Sequence, residues 1–150
     1  MNIKTVLITG ATSGIGLETA RVFAKNNFQL ILCGRREERL NKLKTELDKH
    51  TLVHCLSFDV RNREDVFKSI ASLPEEFSSI DILINNAGNA HGLDNFQEGN
   101  LDDWEAMMDI NVKGLLYVTK AILPKMLEKN SGHIINIGST AAKEVYPKGN

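Results

Sequence analysis

Residues Lys4 to Gly16 read KTVLITGATSGIG, and the rest of the chain is arranged around them. Val6, Leu7 and Ile8 form a short, apolar, β-rich run of the kind that makes a buried strand. Thr9 and Gly10 end it, and a helical pattern of Leu17, Ala20, Phe23 and Ala24 begins near Gly14. Strand, glycine-rich turn and helix together make a phosphate-binding layout. Glycines allow a sharp turn and a close backbone approach, and the helix N-terminus adds unpaired N–H groups with a partial positive charge. The spacing of Gly10, Gly14 and Gly16 is G-x-x-x-G-x-G, not G-x-G-x-x-G. A tight turn without a ligand could carry the same three glycines.

Downstream, strand-like and helix-like stretches alternate. Gln29–Cys33 is a second buried strand, followed by Gly34, Arg35 and Arg36 and a helix with Leu40, Leu43 and Leu47 on one side. Glu37 and Glu38 suit the first turn of that helix, and Lys49 and His50 its last. Leu52–Ser57 is a third strand; Asn62 can cap the next helix, whose apolar side is Val66, Ile70 and Leu73 before Pro74. Ile80–Ile84 is a fourth strand running into Asn85, Asn86, Ala87 and Gly88, and a polar loop extends to Gly99. Two helices are expected over Leu101–Met108 and Asn111–Glu128, the first packing through Trp104 and Met107, the second bent by Pro124. His133–Ile137 is a fifth strand, ending at Gly138, Ser139 and Thr140.

Such alternation calls for a parallel sheet covered on both faces, and right-handed crossovers favour the doubly wound α/β order 3-2-1-4-5, a Rossmann-like domain over residues 1–150. Ligands of such sheets bind beyond the carboxyl ends of the strands. Gly10, Gly34, Asp59, Asn85 and Ser139 each sit at such an end, so five strands should aim polar termini at one crevice. Arg35 and Arg36 follow strand two, where a dinucleotide's adenosine ribose would lie; an arginine there suits a 2′-phosphate and hence NADP. Two solvated arginines opening a helix are the plainer alternative.

Composition narrows the function classes. In 150 residues the apolar share is 42 % and the charged share 25 %, with a net charge of −1. That balance gives no electrostatic footprint for nucleic acid or acidic lipid. No apolar run reaches the roughly 20 residues a bilayer span needs. A strand entered by Lys4 leaves no room for a signal peptide, so the cytoplasm is the expected compartment. Cys33 and Cys55 fall in strand-like runs and read as buried free thiols; the four histidines show no metal spacing.

The string TGATSGIG after a buried strand resembles the cofactor loop of the short-chain dehydrogenase/reductase family. The resemblance extends along the chain through GRREERL, NNAG, DDWE, KGLLYVT and GHIINIGSTA, and is sharpest to the branch that acts on 3-hydroxy acids. It implies that Gly10, Thr12, Ser13, Gly14, Ile15 and Gly16 line NADP, and Gly34 stands where NAD-dependent relatives carry Asp. Asp59 would accept from the adenine amine while the Val60 N–H donates to the ring, although an Asp that turns the chain reads equally well. Asn86 would stabilise the central sheet, with Ala87 and Gly88 lining the cofactor. Asn111 and Ser139 match two catalytic residues: Asn111 would hold a water in a proton relay and Ser139 would hydrogen-bond the substrate oxygen. A small-molecule substrate and a homotetramer built partly on the long helix (Val112, Leu115, Leu116, Ile122) are implied as well.

The chain departs from the family at one point. The family's base is a Tyr followed four residues later by Lys, whose charge would lower the Tyr pKa. Here Tyr117 is followed at that distance by Ala121, and Tyr146 by Asn150. The family spacing puts the Tyr two positions beyond Asn150. The expectation is therefore the N-terminal part of a longer oxidoreductase, inactive as this chain alone, with a non-catalytic dinucleotide-binding module as the alternative.

Overall fold

Every position of the strand Thr5–Thr9 (β1) is buried in the computed structural model, which describes residues 3–144. That is what a strand with neighbours on both edges and helices on both faces requires. Gln29–Gly34 (β2), Val53–Ser57 (β3), Ile82–Asn85 (β4) and His133–Asn136 (β5) complete a parallel sheet of order β3-β2-β1-β4-β5, the order expected from the sequence. Its central registers pair Leu7 with Ile31 on one side and with Leu83 on the other.

Alternation along the strands divides the apolar residues between two cores. Leu7, Ile31 and Leu83 face one layer with Val66 and Ile70 of the helix Arg63–Ala71 (α3) and Val118 of Leu115–Glu128 (α5). Val6, Ile8 and Leu32 face the other, with Ala20 of Gly14–Lys25 (α1) and Leu40 and Leu43 of Glu37–Leu47 (α2). Asn62 caps α3 as expected, its side-chain oxygen accepting from the N–H groups of Glu64 (3.1 Å) and Asp65 (3.2 Å). Asn27 (φ 60°) and Asn130 (φ 48°) follow the ends of α1 and α5 in the left-handed conformation that asparagine tolerates.

Several boundaries differ from the sequence expectation. β4 begins at Ile82, although Ile80 is buried all the same, and α3 stops at Ala71, leaving Leu73 beyond it. The larger correction concerns the two helices expected over 101–108 and 111–128. Leu101–Met107 (α4) passes into a π-helical turn, Met108–Gly114, which passes directly into α5, so the stretch is one uninterrupted helical run. Pro124 lies inside α5. The expected polar loop contains a 3-10 turn at Phe96–Glu98, and the Phe96 ring stacks on Trp104 at 4.9 Å. Tyr146, one of the two tyrosines weighed as a base, lies outside the described residues.

A polar cluster around Lys129 holds the rim opposite the carboxyl ends of the strands. Lys129 Nζ donates to Ser79 Oγ (3.2 Å), Ile80 O (2.9 Å) and Asp81 Oδ1 (2.7 Å), while Asp81 Oδ2 accepts from Thr5 N (2.9 Å). Burial works to raise the Asp81 carboxyl, but the Lys129 and Thr5 hydrogen bonds and the nearby lysine charges outweigh it and hold the pKa low. On edge strand β3, the His54 ring lies 5.3 Å from that of Phe77. Burial, with help from the Lys44 charge and against that of Glu76, pushes the His54 pKa down.

Candidate functional site

The carboxyl ends of all five strands open into one crevice of about 730 Å³, with Gly10, Gly34, Asp59, Asn85 and Ser139 all in its wall. The convergence expected from the sequence is therefore a feature of the fold. What closes the floor of this crevice is a residue the sequence did not single out. The Thr9 hydroxyl, on a residue only 2 % exposed, accepts from the N–H groups of Asn86 and Ala87, both at 3.0 Å. Asn86 answers by donating its side-chain amide to Thr9 O (2.9 Å) and Gly10 O (3.2 Å). A strand-terminal Thr before a glycine turn is too common a pattern to have marked Thr9 out.

That interlock explains the glycines. Gly10 adopts φ +65°, and a Cβ there would lie 2.9 Å from both Ala87 Cα and Asn86 Nδ2. A Cβ on Gly16 would overlap Asn86 Nδ2 and Gly10 O. At Gly14, by contrast, nothing lies within 4 Å of a Cβ position. Gly14 serves instead by its φ of +52°, and Ser13, the N-cap of α1, makes no side-chain capping bond. An uncapped N-terminus flanked by Thr12, Ser13 and Ile15 is a ready site for an anionic group.

Arginines line one end of the crevice. Arg36 donates to Thr12 Oγ1 (3.2 Å), and Arg35 lies 3.6 Å from Asp59 Oδ2. Asp59 is already engaged: Arg61 donates its Nε to both carboxylate oxygens at 3.1 Å, its Nη2 at 2.7 Å and its backbone N–H at 3.0 Å. Burial acts to raise the Asp59 pKa, but the Arg61 hydrogen bonds and the charges of Arg61 and Arg35 win, so the group is held below its ordinary value. The plain turn reading of Asp59 is present in this geometry, and Arg61 is an addition the sequence did not suggest. Cys33 and Cys55 are free thiols; burial pushes the Cys33 pKa far up and that of Cys55 to about 11, so neither serves as a thiolate.

At the other end stand Asn111 and Ser139. Asn111 lies in the π-helical turn, and its side chain is committed to the loop after β4. Its Oδ1 accepts from Asn89 N (2.9 Å) and its Nδ2 donates to Asn89 O (2.8 Å). The side chain expected to hold a relay water clamps the Asn89 backbone here. Ser139 Oγ accepts from Ala141 N (3.2 Å), capping a 3-10 turn at Thr140–Ala142. Between them Asn85 donates to Thr119 Oγ1 (3.0 Å) and Asn136 Oδ1 (2.9 Å), tying β4 to α5 and β5 just before Ser139. Among the described residues no three His, Cys, Asp or Glu side chains converge as a metal set.

Comparison with known proteins agrees with this architecture. The family model described as short chain dehydrogenase matches residues 4–150. The NADP-dependent 3-hydroxy acid dehydrogenase YdfG of Salmonella typhi is 51 % identical over 145 residues, which are 97 % of this chain and 58 % of the relative. The serine 3-dehydrogenase of Rhizobium radiobacter is 45 % identical over 146 residues, 97 % of this chain and 57 % of the relative. Among solved structures, the closed form of a serine dehydrogenase complexed with NADP+ superposes with a TM-score of 0.91 at 49 % identity, covering 97 % of this chain and 58 % of that one. The chain thus spans a little over half the length of the curated relatives it matches. With the strand order, the interlocked glycine turn and the match from residue 4 onward in agreement, this chain belongs to the short-chain dehydrogenase family.

Proposed function

We propose that the chain is the nucleotide-binding part of an oxidoreductase that moves hydride between NADP(H) and a small hydroxy or keto substrate of the 3-hydroxy acid class. The observation that carries the reading is the meeting of the uncapped α1 N-terminus with Arg35 and Arg36 in one crevice beyond five strand ends. Gly10, Thr12, Ser13, Gly14, Ile15 and Gly16 would hold the pyrophosphate on backbone N–H groups and the helix dipole. Arg35 and Arg36, the latter steadied by Thr12, would take the 2′-phosphate through paired N–H donors. Asp59 and Val60 would meet the adenine, and Asn86, Ala87 and Gly88 the remainder of the dinucleotide. When bound, NADP(H) supplies the hydride chemistry.

The chain's own residues would orient the partners. Ser139 would donate its hydroxyl to the substrate oxygen, and the Asn111 turn would support the proton path. The names of the relatives, NADP-dependent 3-hydroxy acid dehydrogenase and serine 3-dehydrogenase, support the substrate class. We place the protein in the cytoplasm, which is in keeping with the absence, among the described residues, of any helix long and apolar enough to cross a membrane. A homo-oligomer, a tetramer by family resemblance, belongs to the same proposal. Met108, Val112 and Leu116 form an exposed apolar stripe, 54 %, 42 % and 56 % accessible, on the long helical run. Glu105 precedes its centre and Lys120 follows it, so a two-fold axis near Val112 would match opposite charges.

Titrating the chain with NADPH and NADH, read by nicotinamide fluorescence, tests the cofactor. NADPH should bind about tenfold or more tightly than NADH, and Arg35→Ala with Arg36→Ala should abolish the preference. Equal affinity for both, or a preference that survives the double change, would refute the arginine assignment. Because Y-x-x-x-K does not occur in this chain, binding without turnover is the expected outcome. That outcome would also suit a non-catalytic dinucleotide-binding module.

A further inference from the structure

Gly114 ends the π-helical turn directly against Val60. A Cβ on Gly114 would stand 2.7 Å from Val60 Cγ2, 2.9 Å from Val60 Cβ and 3.3 Å from Asp109 O. The first two belong to a β-branched side chain that is stiff at χ1, and the third to the helix backbone. None can step aside without moving main chain. Val60 lies in the crevice wall next to Asp59, so the position of Gly114 sets how deeply the end of β3 can settle.

The same turn reaches further along the crevice. Between Asp109 and Gly114 the turn carries Asn111, whose clamp on Asn89 lies at the other end of the crevice. One short helical segment therefore buttresses both ends. A straight α-helix would have carried these residues past the β3 loop on a different phase, since each π turn adds a residue.

We propose that Gly114 is a positioning residue for the adenylate end of the crevice: by admitting Val60 it fixes the Asp59–Val60 backbone where an adenine ring is to be met. This rests on the nucleotide reading above. Gly114 touches no ligand and acts only through Val60, so its effect should fall on the adenine and not on the 2′-phosphate, which is left to Arg35 and Arg36.

Calorimetry of the full chain with 2′,5′-ADP and with 5′-AMP tests this, at a temperature where circular dichroism reports each variant folded. Gly114→Ala should weaken 2′,5′-ADP about tenfold, as overpacking a fixed contact does. The ratio of the two affinities should stay at its wild-type value, because the phosphate contacts are untouched. Adding Val60→Ala removes the 2.7 Å contact and leaves the 2.9 Å contact to the residue 60 Cβ, so it should recover part of the lost affinity, about threefold. Gly114→Ala binding like wild type, or a double variant that binds no better than Gly114→Ala alone, would overturn the inference, as would a collapse of the affinity ratio. If Gly114→Ala does not fold, Val60→Ala alone decides. The gap it opens beside Gly114 should cost about threefold or more with the ratio retained, and unchanged affinity overturns the proposal. A wild-type chain that binds neither probe overturns the nucleotide reading itself, an outcome distinct from wild-type binding that Gly114→Ala leaves intact.

Discussion

Replacing Thr9 by Val keeps the shape of the side chain and removes only its hydroxyl, which makes it a clean probe of the crevice floor. In the structure that hydroxyl accepts two N–H bonds at 3.0 Å, from Asn86 and Ala87, and makes a long contact of 3.4 Å to Ile84 O. The last is near the limit of a hydrogen bond and adds little. The two amides decide the magnitude. Each loses a net bond of about 1 kcal/mol and, where water cannot reach it, a desolvation cost of about 1–3 kcal/mol in its place. For two part-buried amides the expected loss is about 2–4 kcal/mol. In a chain of this size that is a fall of roughly 10 °C in the melting midpoint. Thr9→Ser is the matched control, since it keeps the acceptor and gives up one methyl, about 1 kcal/mol. Urea unfolding of the three proteins separates the cases, with the midpoint shifting and the slope unchanged. If Thr9→Val is no less stable than Thr9→Ser, the hydroxyl does not hold the turn and the account of the floor is wrong.

Two further predictions concern the lower rim and the sheet edge. Lys129→Met should cost about 1–3 kcal/mol at pH 7 by removing three hydrogen bonds from the Ser79–Asp81 segment, read as a shift of the urea midpoint. The Asp81 pKa is depressed in the folded chain, so its contribution is in place above the ordinary carboxylate range and is lost as pH falls through the folded value. The variant should therefore lose stability less steeply in acid than the wild type; parallel acid limbs would contradict this. His54 also has a depressed folded pKa, which for a histidine means the unfolded chain takes up a proton that the folded chain resists. Stability should drop as pH falls below about 6.5, and His54→Gln should remove that part of the slope in urea midpoints between about pH 7.5 and 5.5.

The sheet was legible because its signals are local. Val6 to Ile8, Leu30 to Cys33 and Leu83 with Ile84 are short apolar runs bounded by turn residues, and the helical stripe of Leu40, Leu43 and Leu47 has the right period. Once strands and helices alternate, handedness leaves few orders, and the ends of the strands follow. The π-helical turn was not legible. Asn111 reads as the start of a second helix with Gly114 inside it, and the close approach of Gly114 to Val60 joins residues far apart in sequence. The apolar residues of the long helix likewise divide in a way periodicity alone did not settle. Val118 and Ile122 are buried, whereas Val112 and Leu116 face outward. At the site, Gly10, Arg36 and Ser139 could be placed by position along the chain. Thr9 and Asn89 could not, because their partners become neighbours only after the sheet has formed, whereas Arg61 pairs with Asp59 only two residues away.

The glycine turn has a consequence for the order of assembly. Its backbone is held shut by Asn86, whose bond to Gly10 spans 76 residues. A peptide ending shortly after α1 would contain every residue of the loop and none of what closes it. The turn therefore cannot take its final form until β4 has docked beside β1, a late event for a pairing that must close so long a loop. A ligand that grips the turn would draw its affinity in part from that docking, and would in return hold together the two strands at the centre of the sheet.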